Sequence, residues 1–120
     1  MDTRKFFHSF KYAIAGLKQV MTEQNFRFDL MVASIVTVAG AFTGLSKIEW
    51  MILVLVIAIM LSLEMINTAI ERVVDLASPE RHPLAKAAKD IAAGAVFVFA
   101  CASVIIGILI FLPKWMNLWI

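Results

Sequence analysis

From Trp50 to Leu63 the chain runs fourteen residues without a charge and then sets a carboxylate, Glu64, against that apolar run. A charge at the edge of a membrane-crossing stretch is costly unless it is solvated, partnered or neutralised. Asn67, Glu71 and Asp75 follow Glu64 at i+3, i+7 and i+11, a single stripe of an α-helix. Such a segment is stable only where its apolar part meets lipid and its polar stripe meets water or other polar groups.

Two further stretches have the same character. A hydrocarbon layer of about 30 Å needs about 20 helical residues. Residues 28–45, 48–70 and 91–112 each approach or exceed that length. The hydrophobic share of 62% and the mean hydropathy of +0.87 leave a soluble globule of 120 residues nowhere to hide its apolar surface. The reading is one all-α, integral membrane domain over residues 1–120. Asp29, early in the first span, is read as marking its headgroup end. No cleavable signal peptide is expected, because the first twenty residues lack a continuous apolar core. Cys101, the only cysteine, falls mid-way through the third span and is expected as a packed core thiol.

Basic residues give the orientation. Nine lie before the first span or between the second and third, against two (Lys47 and Lys114) in the remaining segments. Positive residues favour the cytosolic side, so the N-terminus and the 71–90 segment are expected there, in a plasma membrane crossed several times. Trp50, Trp115 and Trp119 then fall together at the outer interface, as an aromatic belt.

Residues 4–21 read as a helix lying on the membrane. Phe6, Phe10, Ile14, Leu17 and Met21 recur every three to four positions, while Arg4, Lys5, His8, Lys11 and Lys18 occupy much of the rest. Such a basic amphipathic stretch suits an anionic leaflet, as an anchor or as the roof of a site. Gly44 is placed to end the first span in the left-handed region. Ser46-Lys47-Ile48-Glu49 then matches a capping box starting the second helix, expected over 48–76 with a cytosolic extension. Ser78-Pro79 and His82-Pro83 end it and start the third, expected over 83–112. Ala92-Ala93-Gly94 reads as a close-approach surface for another helix.

At about 1.5 Å per residue, Glu64 lies about 21 Å along the helix from Trp50, and Glu71 about 10 Å further. Lys86, Lys89 and Asp90 at the cytosolic end of the third helix, and Glu23 just before the first span, share that face of the membrane. Each group has a bland reading. Glu64 suits a neutral acid bonded across a helix interface, and Asn67 suits interhelical glue. Glu71 and Asp75 suit solvated charges paired with Arg72, Lys86 or Lys89. His82 suits a turn residue better than a metal ligand.

The functional reading starts from the chemistry of the set. Oxygen-rich carboxylates suit Mg²⁺, which takes one or two of them along with phosphate oxygens. A lysine suits a phosphate, and a deeper carboxylate can take a proton from a membrane alcohol. These are the parts of phosphoryl transfer. No G-x-x-x-x-G-K-S/T run accompanies them, and the five glycines are isolated. From the residues alone, a lipid-modifying enzyme, a small proton-coupled transporter using Glu64 as relay, and a non-catalytic membrane partner all stay open.

A resemblance narrows this. Glu64-Met-Ile-Asn-Thr-Ala-Ile-Glu71-Arg-Val-Val-Asp75, followed by Ala88-Lys89-Asp90, resembles the signature of the small bacterial diacylglycerol kinase family. The similarity extends from Tyr12 and Ala15-Gly16-Leu17 through Glu23 and Asn25-Phe26-Arg27 to Gly94. Ser78-Pro79-Glu80-Arg81-His82-Pro83 and Lys89-Asp90-Ile91-Ala92-Ala93-Gly94 resemble the Gram-positive branch, whose members act mainly as undecaprenol kinases.

The resemblance implies a homotrimer of three-span subunits, each preceded by a surface helix, with MgATP bound in sites shared between subunits. It implies Glu64 as the catalytic base and Glu23 and Glu71 as metal ligands. Lys89 and Asp90 would serve the phosphates, with Asn67 supporting and Tyr12, Glu80 and His82 bordering the nucleotide. The substrate implied is a membrane lipid alcohol, undecaprenol or else diacylglycerol, and no nucleic-acid partner is expected. Ala93 stands where the diacylglycerol-specific branch commonly has serine, which favours a different lipid. The Gly16-to-Glu23 spacing departs from the family pattern by one residue, so the basic nucleotide contact falls to either Arg4 or Lys5.

Overall fold

Four helices joined by short turns account for residues 2–118, the part of the chain described by the computed structural model. They are α1 (Thr3–Val20), α2 (Gln24–Thr43), α3 (Lys47–Ala77) and α4 (Pro83–Leu118). Three of them, α2, α3 and α4, are long and apolar enough to cross a membrane. Trp119 lies outside the described residues.

Local chemistry sets the helix ends. The Asp2 carboxylate accepts from the Arg4 and Lys5 amides and starts α1. Gly44 closes α2 at φ 78°, a left-handed conformation that glycine adopts without a Cβ clash. The capping box forms in full: Ser46 Oγ accepts from the Glu49 amide at 3.2 Å, and Glu49 Oε1 accepts from the Ser46 amide at 2.9 Å. At the start of α4, His82 Nδ1 accepts from the Leu84 amide at 3.1 Å, so His82 does serve the turn.

α3 and α4 form the main packed pair, with α2 laid against both. Thr43, Glu49, Lys114 and Trp115 bind the three together at one end. Trp115 Nε1 donates to Thr43 Oγ1 at 2.9 Å, and Lys114 Nζ lies 3.0 Å from Glu49 Oε1. Nearby, Gly40 lets the Trp50 ring and Leu45 approach α2; a Cβ there would sit 3.0 Å from both. α4 continues through Pro113, which costs one backbone hydrogen bond but keeps Lys114 and Trp115 in helical register with their partners.

Two expectations are not met within the single chain. Cys101 is exposed, because only one side of α4 is covered by its neighbours and Cys101 is on another. Of the small residues in α4, Ala92 is buried, whereas a Cβ on Gly94 would meet nothing within 4 Å. Close approach at that point therefore falls to Ala92 within this chain.

The interior is thin. Among the described residues no side chain is fully enclosed, and Phe28, Ile35, Val54, Phe97, Val98 and Leu109 are all exposed. On α1, Phe7, Phe10, Ile14 and Leu17 are exposed as well, and Val20 alone is buried. Apolar side chains cover the outside of the bundle where a soluble protein would carry polar ones.

Candidate active site

The deepest polar group on α3 is Glu64, 5% exposed, and Asn67 and Thr68 one turn along are 7% and 8% exposed. Burying polar groups on an otherwise apolar helix has a high cost unless they are bonded. Asn67 answers part of it along its own helix: Nδ2 donates to Glu71 Oε1 at 3.0 Å. The interhelical-glue reading of Asn67 is thus replaced by an i, i+4 bond. Its Oδ1 is buried with no hydrogen-bond partner among the described residues.

Around Glu64 the carboxyls of Asp29, Glu71 and Glu23 lie within electrostatic range. Asp29 of α2 is the nearest of these in its effect on Glu64, and its Oδ2 is another buried oxygen without a partner among the described residues. Asp29 therefore groups with the buried acid, a role beyond marking the start of the span. Glu23 comes from the α1–α2 turn. It is the residue preceding α2, yet its side chain makes no cap bond and accepts instead from Arg72 Nη2 at 3.3 Å.

One turn beyond Glu71, Asp75 pairs with Lys89 of α4. Lys86 pairs with Asp90 at 2.6 Å, so the adjacent Lys89 and Asp90 serve different partners. Asp75, Lys86 and Lys89 border a cavity of about 780 Å³ between the end of α3 and the start of α4. Asp75, Glu80, Arg81, His82, Lys86 and Lys89 contribute its polar lining. A space of that size is of the order of small-molecule and cofactor sites, about 300–1,000 Å³. Tyr12, 70% exposed on α1 and stacked on His8, is not part of the lining.

A second, apolar cavity of about 360 Å³ lies between α2, α3 and α4, with Asp29 in its wall. The polar stripe thus reaches a cavity lined by charged residues at Asp75, and the apolar cavity is walled in part by Asp29 of α2. Among the described residues no three acidic, histidine or cysteine side chains gather tightly enough to enclose a metal ion. The donors nearest the stripe are all oxygens: Glu23, Glu71 and the orphaned Asn67 Oδ1. Hard divalent cations favour such a set, and Mg²⁺ needs only one or two protein carboxylates when phosphate and water complete its shell.

Residues 11–111 match the family model described as prokaryotic diacylglycerol kinase. The chain belongs to that family. It is 54% identical to an undecaprenol kinase of Bacillus subtilis, over 94% of this chain and 93% of the relative. It is 41% identical to a diacylglycerol kinase of Synechocystis, covering 92% of this chain and 64% of that protein. A diacylglycerol kinase of Haemophilus influenzae is 36% identical over 87% and 91% of the two lengths.

The matched region holds every candidate site residue read from the sequence except Arg4 and Lys5. Two participants were not foreseen in their present roles. Asp29 joins Glu64, and Arg72 joins Glu23 across a separation of 49 residues. The odd placement of Asp29 in an apolar helix was the available signal for the first. For the second, periodicity offered no signal, because a turn brings the partners together.

Proposed function

We propose that this family member is a lipid kinase that moves the γ-phosphate of ATP to the hydroxyl of undecaprenol, giving undecaprenyl phosphate. The observation that carries the reading is the stripe of buried Glu64 and Asn67 with half-buried Glu71, joined to the lysine-bearing cavity through Asp75. The similarity over nearly full length to the Bacillus undecaprenol kinase supports the choice of lipid.

In this reading Glu64 takes the proton of the lipid hydroxyl as its oxygen bonds to the γ-phosphorus. The bond from that phosphorus to the β,γ-bridging oxygen breaks, and ADP departs with the electron pair. Lys89 balances phosphate charge, and Asp90 and Asp75 hold the lysines of the cavity in place. Glu80 and His82 line the nucleotide side, with Tyr12 supplied by α1. Glu23 and Glu71 would hold Mg²⁺, and Asn67 fixes Glu71. The ion, when bound, neutralises charge on the transferring phosphate.

The unit of function in this proposal is a homotrimer with shared sites. Exposed apolar faces on every helix and the lack of any fully enclosed side chain among the described residues support it. α1 would lie on the cytosolic leaflet of the plasma membrane, its exposed phenylalanines in the lipid. The deciding assay offers purified protein γ-labelled ATP with undecaprenol or diacylglycerol in separate mixed micelles. Label is expected in undecaprenyl phosphate. Label in neither lipid refutes the kinase reading, and preferential label in phosphatidic acid refutes the choice of alcohol. Proton flux dependent on Glu64 in ATP-free vesicles would restore the transporter reading.

A further inference from the structure

We infer that Arg72 is a positioning residue for the metal-binding carboxylate Glu23, gripping one of its oxygens and leaving the other to face the ion. The inference rests on the kinase reading of Glu23 and adds a residue to it.

The sequence makes Glu23 hard to place. It sits in a short turn between α1 and α2, and α1 makes few contacts with the rest of the bundle. A glutamate there has three rotatable side-chain bonds and no cap bond to restrict them. Two arginines organise the turn. Arg27 of α2 donates through Nη1 to the carbonyls of Met21 and Thr22, each at 3.0 Å, which fixes the backbone just before Glu23. Arg72 of α3 fixes the side chains: Nη1 donates to Gln19 Oε1 at 3.0 Å and Nη2 to Glu23 Oε1 at 3.3 Å.

Arg72 follows Glu71 in sequence, so the grip ties Glu23 to the segment of α3 that carries the other carboxylate. Glu71 is treated the same way, with Oε1 engaged by Asn67. In both carboxylates one oxygen is taken by a fixed donor. Partners of this kind orient metal ligands, and losing one typically costs about 10- to 100-fold in metal affinity. Arg72 is half-exposed, as is Glu23. The pair therefore contributes little as a salt bridge to stability, and its consequence lies in where it holds the carboxylate.

The test uses the full-length protein in detergent with a non-hydrolysable ATP analogue, and reads Mn²⁺ binding by electron paramagnetic resonance. Glu23→Gln and Arg72→Gln should each weaken Mn²⁺ binding, the latter by about 10- to 100-fold. Arg72→Lys should recover most of the loss, because it keeps the charge opposite Glu23. Gln19→Ala, which removes only the other partner of Arg72, should bind Mn²⁺ like the wild type. In turnover, Arg72→Gln should raise KM for MgATP and retain kcat at saturation. Wild-type or tighter Mn²⁺ binding by Arg72→Gln overturns the inference. So does an equal loss in Gln19→Ala, which would make Arg72 a tether for α1 and no more. Unchanged binding in Glu23→Gln would instead remove Glu23 from the metal site, a failure of the underlying reading.

Discussion

Replacing Asn67 with alanine separates folding from function in a way few changes in this protein can. The lost bond runs along α3 from Asn67 Nδ2 to Glu71 Oε1 at 3.0 Å. An i, i+4 polar pair of this type contributes about 0.2–0.5 kcal/mol. Alanine is the better helix former by about 0.5 kcal/mol, which offsets that loss. The change also removes the buried, unpartnered Oδ1, whose burial costs about 1 kcal/mol or more. The sum predicts unchanged or slightly raised stability. Glu71, half-buried, loses the donor that orients it, and the functional cost of such a loss is about 10- to 100-fold in metal affinity, or about 1.4–2.7 kcal/mol. Asn67→Ala should therefore melt at or above the wild-type temperature in detergent, while its KM for MgATP rises by one to two orders of magnitude. A clear fall in melting temperature with an unchanged metal requirement would refute the reasoning and return Asn67 to a packing role.

Three other changes test separate parts of the account. Glu64→Gln keeps the shape of a side chain 5% exposed but removes the proton acceptor, so kcat should fall by about 10²–10⁴ while MgATP binding persists; normal turnover would eliminate it as the base. Ser46→Ala removes the side-chain half of the α3 cap and should lower stability by about 1 kcal/mol without altering kcat, as read by thermal unfolding and turnover together. Gly40→Leu would force a side chain toward the Trp50 ring and Leu45, already 3.0 Å from the Cβ position, and should cost about 1–3 kcal/mol in the same melts.

The parts of this structure legible in the sequence are those governed by neighbours along the chain. Ser46 and Glu49 form their reciprocal cap, and Gly44 turns at positive φ, because each depends on groups within a few residues. The stripe from Glu64 to Asp75 was likewise readable from helical spacing, and Asp75 does pair with Lys89. Facts that depend on how helices rotate against one another were not readable. A hydrophobic span lacks a polar side to tell packing from lipid contact, so its sequence does not show that Cys101 and Gly94 lie outside the packing within one chain. Glu49 looked complete as a cap, and its second partner, Lys114, comes from another helix. Arg72 looked available to Glu71 or Asp75 and goes to the α1–α2 turn instead.

Tyr12 tests how far one chain extends toward a whole site. It is exposed on α1, outside the cavity that holds Glu80, His82 and Lys89, and α1 has little contact with its own bundle. For Tyr12 to border the nucleotide, the simplest geometry brings it from a neighbouring copy. Cysteines placed by Tyr12→Cys and Glu80→Cys, with Cys101→Ala to remove the exposed native thiol, make the point measurable. Disulfide geometry brings Cα atoms within about 7 Å, so bonds form only between surfaces that meet. Oxidised in native membranes, the double variant should run on a denaturing gel at dimer and trimer positions, and either single variant should give much less of both. Quantitative bonding with only a monomer band would place Tyr12 over its own cavity, and the shared-site proposal would fall with it.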